Sequence, residues 1–169
     1  MIGKSKNPNC FKKQRIPLPY EANSTAWMTR NIFKEWLKTW DEELDEQNRD
    51  ILLWLDNVDS HHVESENFKL KRIKIRYLMP NTTSVAQPMD QGIIATLKRY
   101  YKKILLRDKV ANIEYGYDTD INILDAMRML ERAWEYVTPD TIKNCFAKAK
   151  FFDDLDREVF ICILVNYLV

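Results

Sequence analysis

Behind Thr29 the apolar residues Ile32, Phe33, Trp36, Leu37, Trp40 and Leu44 recur at three- and four-residue steps. That is the spacing of one helix face, and the threonine hydroxyl is placed to cap the helix at its start. The next apolar segment changes period. Ile51-Leu52-Leu53-Trp54-Leu55 is continuous and stops at Asp56-Asn57, which predicts a buried strand delivering an acid at its carboxyl end. Across residues 73–78 the period falls to two, with Ile73, Ile75 and Tyr77 alternating with Lys74 and Arg76, so a strand with one wet, basic face is expected. Helical spacing returns after Gln87-Pro88-Met89-Asp90-Gln91-Gly92. There Ile93, Ile94, Leu97, Tyr101, Ile104 and Leu105 point inward, and Lys98, Arg99, Lys102, Lys103 and Arg107 point outward. Past a turn-like Gly116, Ile123, Met127, Leu130 and Trp134 trace another apolar stripe. Thr138-Pro139-Asp140 then opens a last helix with a cap, a proline at the first helical position and a first-turn acid; Ile142, Cys145, Phe146 and Ala149 form its face.

The two ends break this regularity. Residues 1–25 carry Pro8, Pro17 and Pro19, which argues for loop and edge strand rather than helix. Residues 159–165 are uncharged and strand-like, and such a segment aggregates unless it packs. Its β-branched and aromatic composition suits an open sheet edge, beside the strand ending at Asp56 or the one at residues 73–78, or a short covering helix. With 46% hydrophobic residues and three glycines among 169 residues, the chain is expected to fold as one α/β domain with a substantial core. Cys10, Cys145 and Cys162 are odd in number and lack metal-type or paired spacing, which suits a reducing compartment. No signal-type segment opens the chain, and the apolar stretch at residues 159–169 is too short to span a bilayer. A soluble, intracellular protein is expected.

The net charge of +1 hides a polarised distribution: between residues 68 and 110 stand eleven lysines and arginines against two acids, Asp90 and Asp108. Like charges at i, i+4, such as Lys98 with Lys102 and Arg99 with Lys103, repel by a few tenths of a kcal/mol, a cost that contact with phosphates removes. Asp41, Glu42, Glu43 and Asp45 crowd the far end of the first helix, where its dipole disfavours them, and they read as a solvated face. His61 and His62 lack a third ligand at metal-site spacing, so each reads as a loop histidine with an ordinary hydrogen bond. Asp56 at a strand end and Asp90 near a helix start are placed to converge on one divalent cation.

Leu55-Asp56-Asn57, His61, Leu78-Met79-Pro80-Asn81-Thr82-Thr83-Ser84 and Gln87-Pro88-Met89-Asp90-Gln91-Gly92, with Ile2-Gly3-Lys4-Ser5-Lys6-Asn7-Pro8 before them, resemble the catalytic core of the pogo-like transposases. This is the Tigger and jerky group, to which centromere protein B is related. The likeness covers residues 1–150, and residues 151–169 form an unmatched apolar tail. Met79, Ala86 and the pair Val58-Asp59 depart from the usual residues, the last altering the loop after Asp56.

The resemblance implies a ribonuclease H-like α/β fold, a mixed sheet flanked by helices, with three acids in its active site. Asp56 and Asp90 match the second and third. Asn57, His61, Asn81, Thr82, Gln87, Pro88, Gln91 and Gly92 fall on supporting positions of the motif. The first acid belongs upstream of the Ile2-Gly3-Lys4-Ser5 stretch, so the chain reads as a truncated core lacking the first strands and the helix-turn-helix domains. Two carboxylates hold at most one magnesium, weakly, whereas a two-metal clamp needs the third. The expected function is DNA binding in the nucleus through Lys98, Arg99, Lys102, Lys103 and Arg107, without endonuclease activity, membrane or small-molecule substrate. The alternatives are a catalytically dead interaction module or non-functional fragment, and an enzyme with a replacement acid.

Overall fold

The computed structural model describes residues 1–63, 68–79 and 86–150 together with the backbone of residues 160–162. Asn81, Thr82 and the rest of the tail lie outside these described residues. Two short strands, β1 (Ile2–Gly3) and β2 (Glu21–Ala22), pair in parallel, Ile2 opposite Glu21. Helix α1 (Arg30–Glu46) leads to β3 (Ile51–Leu55), and β4 (Ile73–Tyr77) follows. Three more helices come next, α2 (Ile94–Tyr115), α3 (Ile123–Trp134) and α4 (Pro139–Lys148), then β5 (Phe160–Cys162). The second sheet has the order β4-β3-β5. Both of its pairings are parallel, Leu53 lying opposite Ile75 on one side and Ile161 on the other. The mixed sheet expected from the sequence is therefore parallel throughout its described part, while β5 takes the open edge of β3 that its composition suited.

Each helix begins where its cap residue dictates. The Thr29 hydroxyl accepts from Ile32 N and that of Thr138 from Thr141 N, each supplying an acceptor to a first-turn amide that the helix leaves bare. Asn122 and Asp125 form a reciprocal capping box at the start of α3. Gly116, with φ 71°, closes α2 in the left-handed conformation, and Tyr117 N reaches back to Asn112 O.

Strand β3 is held from both faces. On one, Ile51, Leu53 and Leu55 meet Phe33, Leu37 and Leu44 of α1 together with Val63 and Ile73. On the other, Trp54 packs against a second cluster in which Ile93, Leu97 and Ile104 meet Met129, Ala133, Cys145 and Phe146. Full burial of a leucine of this size is worth about 1.5–3 kcal/mol, so β3 is the common floor of both cores.

Two expectations are corrected here. The acids near the end of α1 are not all a solvated face. Asp41 is buried, and its carboxylate accepts three backbone amides entering β4, from Lys71 (2.7 Å), Arg72 (2.8 Å) and Ile73 (3.0 Å). Asp45 binds the side chains of Lys71 and Arg72, and those hydrogen bonds hold its carboxyl below the usual range. On α3 the buried positions are Leu124, Met127, Met129 and Ala133, and Trp134 is 47% exposed. Of the expected stripe Ile123, Met127, Leu130 and Trp134, Met127 is fully buried and Leu130 packs half-buried against the core, whereas Trp134 turns outward and Met129 and Ala133 take its place in the α2–α3 seam.

Candidate nucleic-acid interface and acid pair

Strand β3 carries the chain to Asp56, which is buried, although Asn57 beside it is exposed. The Asn57 amide donates to Leu78 O just past β4 and so ties the exits of the two strands together. A short turn at Asp59–His61 then brings His61 back. His61 is fully buried. Its Nδ1 and Asp56 Oδ1 share a 2.5 Å hydrogen bond, its ring lies 4.7 Å from that of Phe33, and its carbonyl accepts from the Tyr77 hydroxyl. Among the described residues the Nε2 atom has no partner. Against the Asp56 carboxylate, an acceptor, Nδ1 is the donor of this hydrogen bond. His61 therefore fixes the rotamer of Asp56, and His62 is exposed and stacks on Tyr77 at 4.9 Å.

The second acid is set by the turn before α2. Gln87 and Pro88 are buried, and Met89–Ile93 form a wide turn in which Asp90 N bonds Gln87 O and Gln91 N bonds Pro88 O. Gly92 has φ 150°, and a Cβ there would stand 3.1 Å from Cys145 Sγ, so both conformation and space call for glycine. This turn holds Asp90 at the amino end of α2. Its carboxyl pKa is raised, first by burial and then by the negative charge of Asp56, with Lys98 opposing. The two acids, far apart in sequence, thus feel each other's field, as two like charges around one site do.

Asp56 and Asp90 are the two carboxylates that a divalent cation at this site would have to bridge. They do not make a closed cage: among the described residues no cluster of three or more His, Cys, Asp or Glu side chains is arranged to hold a metal.

Beyond Asp90, Lys98, Arg99, Lys102, Lys103 and Arg107 are all exposed along α2. Lys98, two turns on from Asp90, favours the charged form of that carboxyl against the two effects that raise its pKa. The guanidinium of Arg99 covers Tyr100 at 5.1 Å, and Tyr100 stacks on Tyr136 at 4.8 Å. Arg107, 62% exposed, has Asp108 at 3.3 Å, and the same acid also binds Arg132. On β4, Lys74 and Arg76 are exposed. Lys71 and Arg72, counted among the basic residues of this stretch, are instead engaged by Asp45.

Sequence reasoning missed the Asp41 clamp, the burial of Gln87 and the tyrosine stack. Only the stack left a signal, in the aromatic residues flanking Arg99 and following α3. The described helices include none long and apolar enough to cross a membrane.

The DDE superfamily endonuclease family matches residues 1–146. The Tigger transposable element-derived protein 4 of Mus musculus is 34% identical over 152 residues, covering 89% of this chain and 29% of the relative. The CENP-B homolog protein 2 of Schizosaccharomyces pombe is 30% identical over 167 residues, 91% of this chain and 32% of its own length. The Major centromere autoantigen B of Mus musculus is 24% identical over 162 residues, with 94% and 26% covered. The chain thus spans a third or less of these curated relatives. No solved structure matches. With most of its length aligned to one family and to relatives sharing that ancestry, the chain belongs to the DDE superfamily endonuclease family, in its transposase-derived Tigger, Jerky and CENP-B branch.

Proposed function

We propose that this chain binds DNA without cutting it, through the exposed cations of α2 and the wet face of β4, in a nuclear setting. The observation that carries the reading is the continuity of Lys98, Arg99, Lys102 and Lys103, all exposed, with the Asp56–Asp90 pair at the amino end of the same helix. Phosphate contacts position a protein on DNA and carry no sequence information, so binding with little sequence preference is expected. The name of one relative, a centromere autoantigen, fits a chromosomal partner.

In this reading residues 1–150 are a ribonuclease H-like core and residues 151–169 an added edge segment. Asp56 and Asp90 are its second and third acids, and Asn57, His61, Gln87, Pro88, Gln91 and Gly92 shape their surroundings. Asp56 and Asp90 would hold one magnesium ion, mostly hydrated and at millimolar concentration, because two carboxylates supply too little charge for tighter binding. Bound there, such an ion neutralises phosphate oxygens. Stabilising both the attacking and leaving oxygens of a phosphodiester needs two metals, and the two carboxylates found among the described residues provide for one.

Fluorescence anisotropy with two unrelated duplexes tests the binding, and incubation of supercoiled plasmid with Mg²⁺ tests the absence of cutting. We expect both duplexes to bind at about 50 mM salt and to weaken together as salt rises, with the plasmid left intact. Failure of both duplexes to bind at low salt overturns the DNA reading, and metal-dependent nicking abolished by Asp56→Asn overturns the non-cutting part.

A further inference from the structure

The carboxyl half of α2 carries an apolar stripe that the described residues leave exposed. Leu106, Val110 and Ile113 are 61%, 54% and 68% exposed, and Tyr117, just past the cap, is 69% exposed. Successive residues turn by about 100°, so Leu106 lies some 200° around the helix from Ile104, which is buried against α3. The face is therefore opposite the core. A soluble monomer seldom exposes a run of large apolar side chains in line, and the steps of four and three from Leu106 through Val110 to Ile113 are those of a coiled-coil seam.

The charges beside the stripe identify its occupant. Toward the amino end stand Lys102, Lys103, Arg107 and Lys109, while Asp108 is turned to Arg132 of α3; on the last turn stands Glu114, and Asp118 and Asp120 follow in the loop after the Gly116 cap. A complementary partner needs the same apolar spacing with the opposite charge order, and this helix turned end for end has both. We propose that α2 pairs with α2 of a second copy of this chain, antiparallel about a two-fold axis passing near Ala111 and Asn112. Val110 then meets Ile113 of the other copy, Leu106 meets Tyr117, and Arg107 lies beside Glu114 on the flank. Two-fold symmetry uses each pair twice, as an isologous interface does. Arg107 gives up only an exposed contact to its neighbour Asp108 in doing so. The seam is short, so the dimer is weak and concentration-dependent, with dissociation on the order of 10 µM. The pairing does not depend on the DNA reading, and it is tested without DNA.

Sedimentation equilibrium of the full chain from about 1 to about 100 µM covers that range. The expected result is a mass rising from that of the monomer toward twice that value. Val110→Glu should raise the dissociation constant at least tenfold, and Leu106→Ser should do the same if the glutamate disturbs the helix. Arg107→Glu should weaken the dimer and Arg107→Glu with Glu114→Arg should restore it, because the swapped pair still attracts. Circular dichroism checks that each variant keeps its helix. A wild-type chain that stays monomeric at 100 µM, a dimer indifferent to both Val110→Glu and Leu106→Ser, or a charge swap that fails to restore pairing overturns the proposal.

Discussion

Asp41 is the side chain on which the entry to β4 depends, and it does so by accepting three consecutive backbone amides. Removing the acceptor leaves those N–H groups bare, at about 1–3 kcal/mol for each one that stays buried. Asp41→Ala should therefore cost roughly 3 kcal/mol and lower the melting temperature by roughly 6–12 °C; a loss of only a degree would mean that water satisfies the amides. Gln87 presents the opposite case, a wholly buried amide with neither atom partnered among the described residues. Gln87→Met keeps the volume and removes the bare polar group, so stability should rise by about 1 kcal/mol, roughly 2–4 °C. Asp90 gives a pH dependence whose sign follows from its raised pKa. The folded chain holds that proton more tightly than the unfolded one, so the stability it contributes is complete below the ordinary carboxylate value of about 4 and is lost as pH rises through the raised value. Asp90→Asn should thus be more stabilising, relative to wild type, at about pH 7 than at about pH 3. Asp56→Asn should let Asp90 titrate lower in a carboxyl NMR experiment, and an unmoved midpoint would contradict the coupling. At this scale the motif singled out Asp56, Asp90 and His61 in the sequence, and the structure brings His61 against Asp56. The sequence hid Asp41, because a carboxylate on a polar helix face looks the same whether it meets water or a neighbouring backbone.

Among the elements, β5 is the clearest case of composition finding its place. An uncharged segment of β-branched and aromatic residues pairs with the strand edge left by β3 and β4. Deleting residues 159–169 should expose that edge, lowering the melting temperature and increasing aggregation; an unchanged melt would remove β5 from the stability of the sheet. The helix starts at Thr29 and Thr138 and the strand at Ile51–Leu55 were legible because caps, proline position and apolar period act within a few residues of where they are read. The extent of α2 was not. Its second half has polar residues toward α3 and apolar ones toward solvent, so periodicity alone stops near Leu106, whereas the helix runs to Tyr115. The assignment of Trp134 failed for a related reason: two overlapping stripes exist on α3, and only the position of α2 selects between them.

For the whole molecule, the near-zero net charge conceals a basic stretch over residues 68–110, with exposed cations on α2 and on β4, and a more acidic remainder. The surface cations of this stretch were legible from their spacing. The engagement of Lys71 and Arg72 by Asp45 was not, because that ion-pair group joins residues of α1 to the start of β4. The parallel order of β4, β3 and β5 was likewise invisible, since a buried run of apolar residues does not state the direction of its neighbour. Lys98, Arg99, Lys102 and Lys103 together make the most direct test of the account. Salt titration of duplex binding by the quadruple alanine variant should give a log K against log salt slope about 3.6 units flatter than wild type, from about 0.9 for each of four neutralised phosphates. Binding that keeps the wild-type slope in that variant would place DNA elsewhere on the chain and contradict the account.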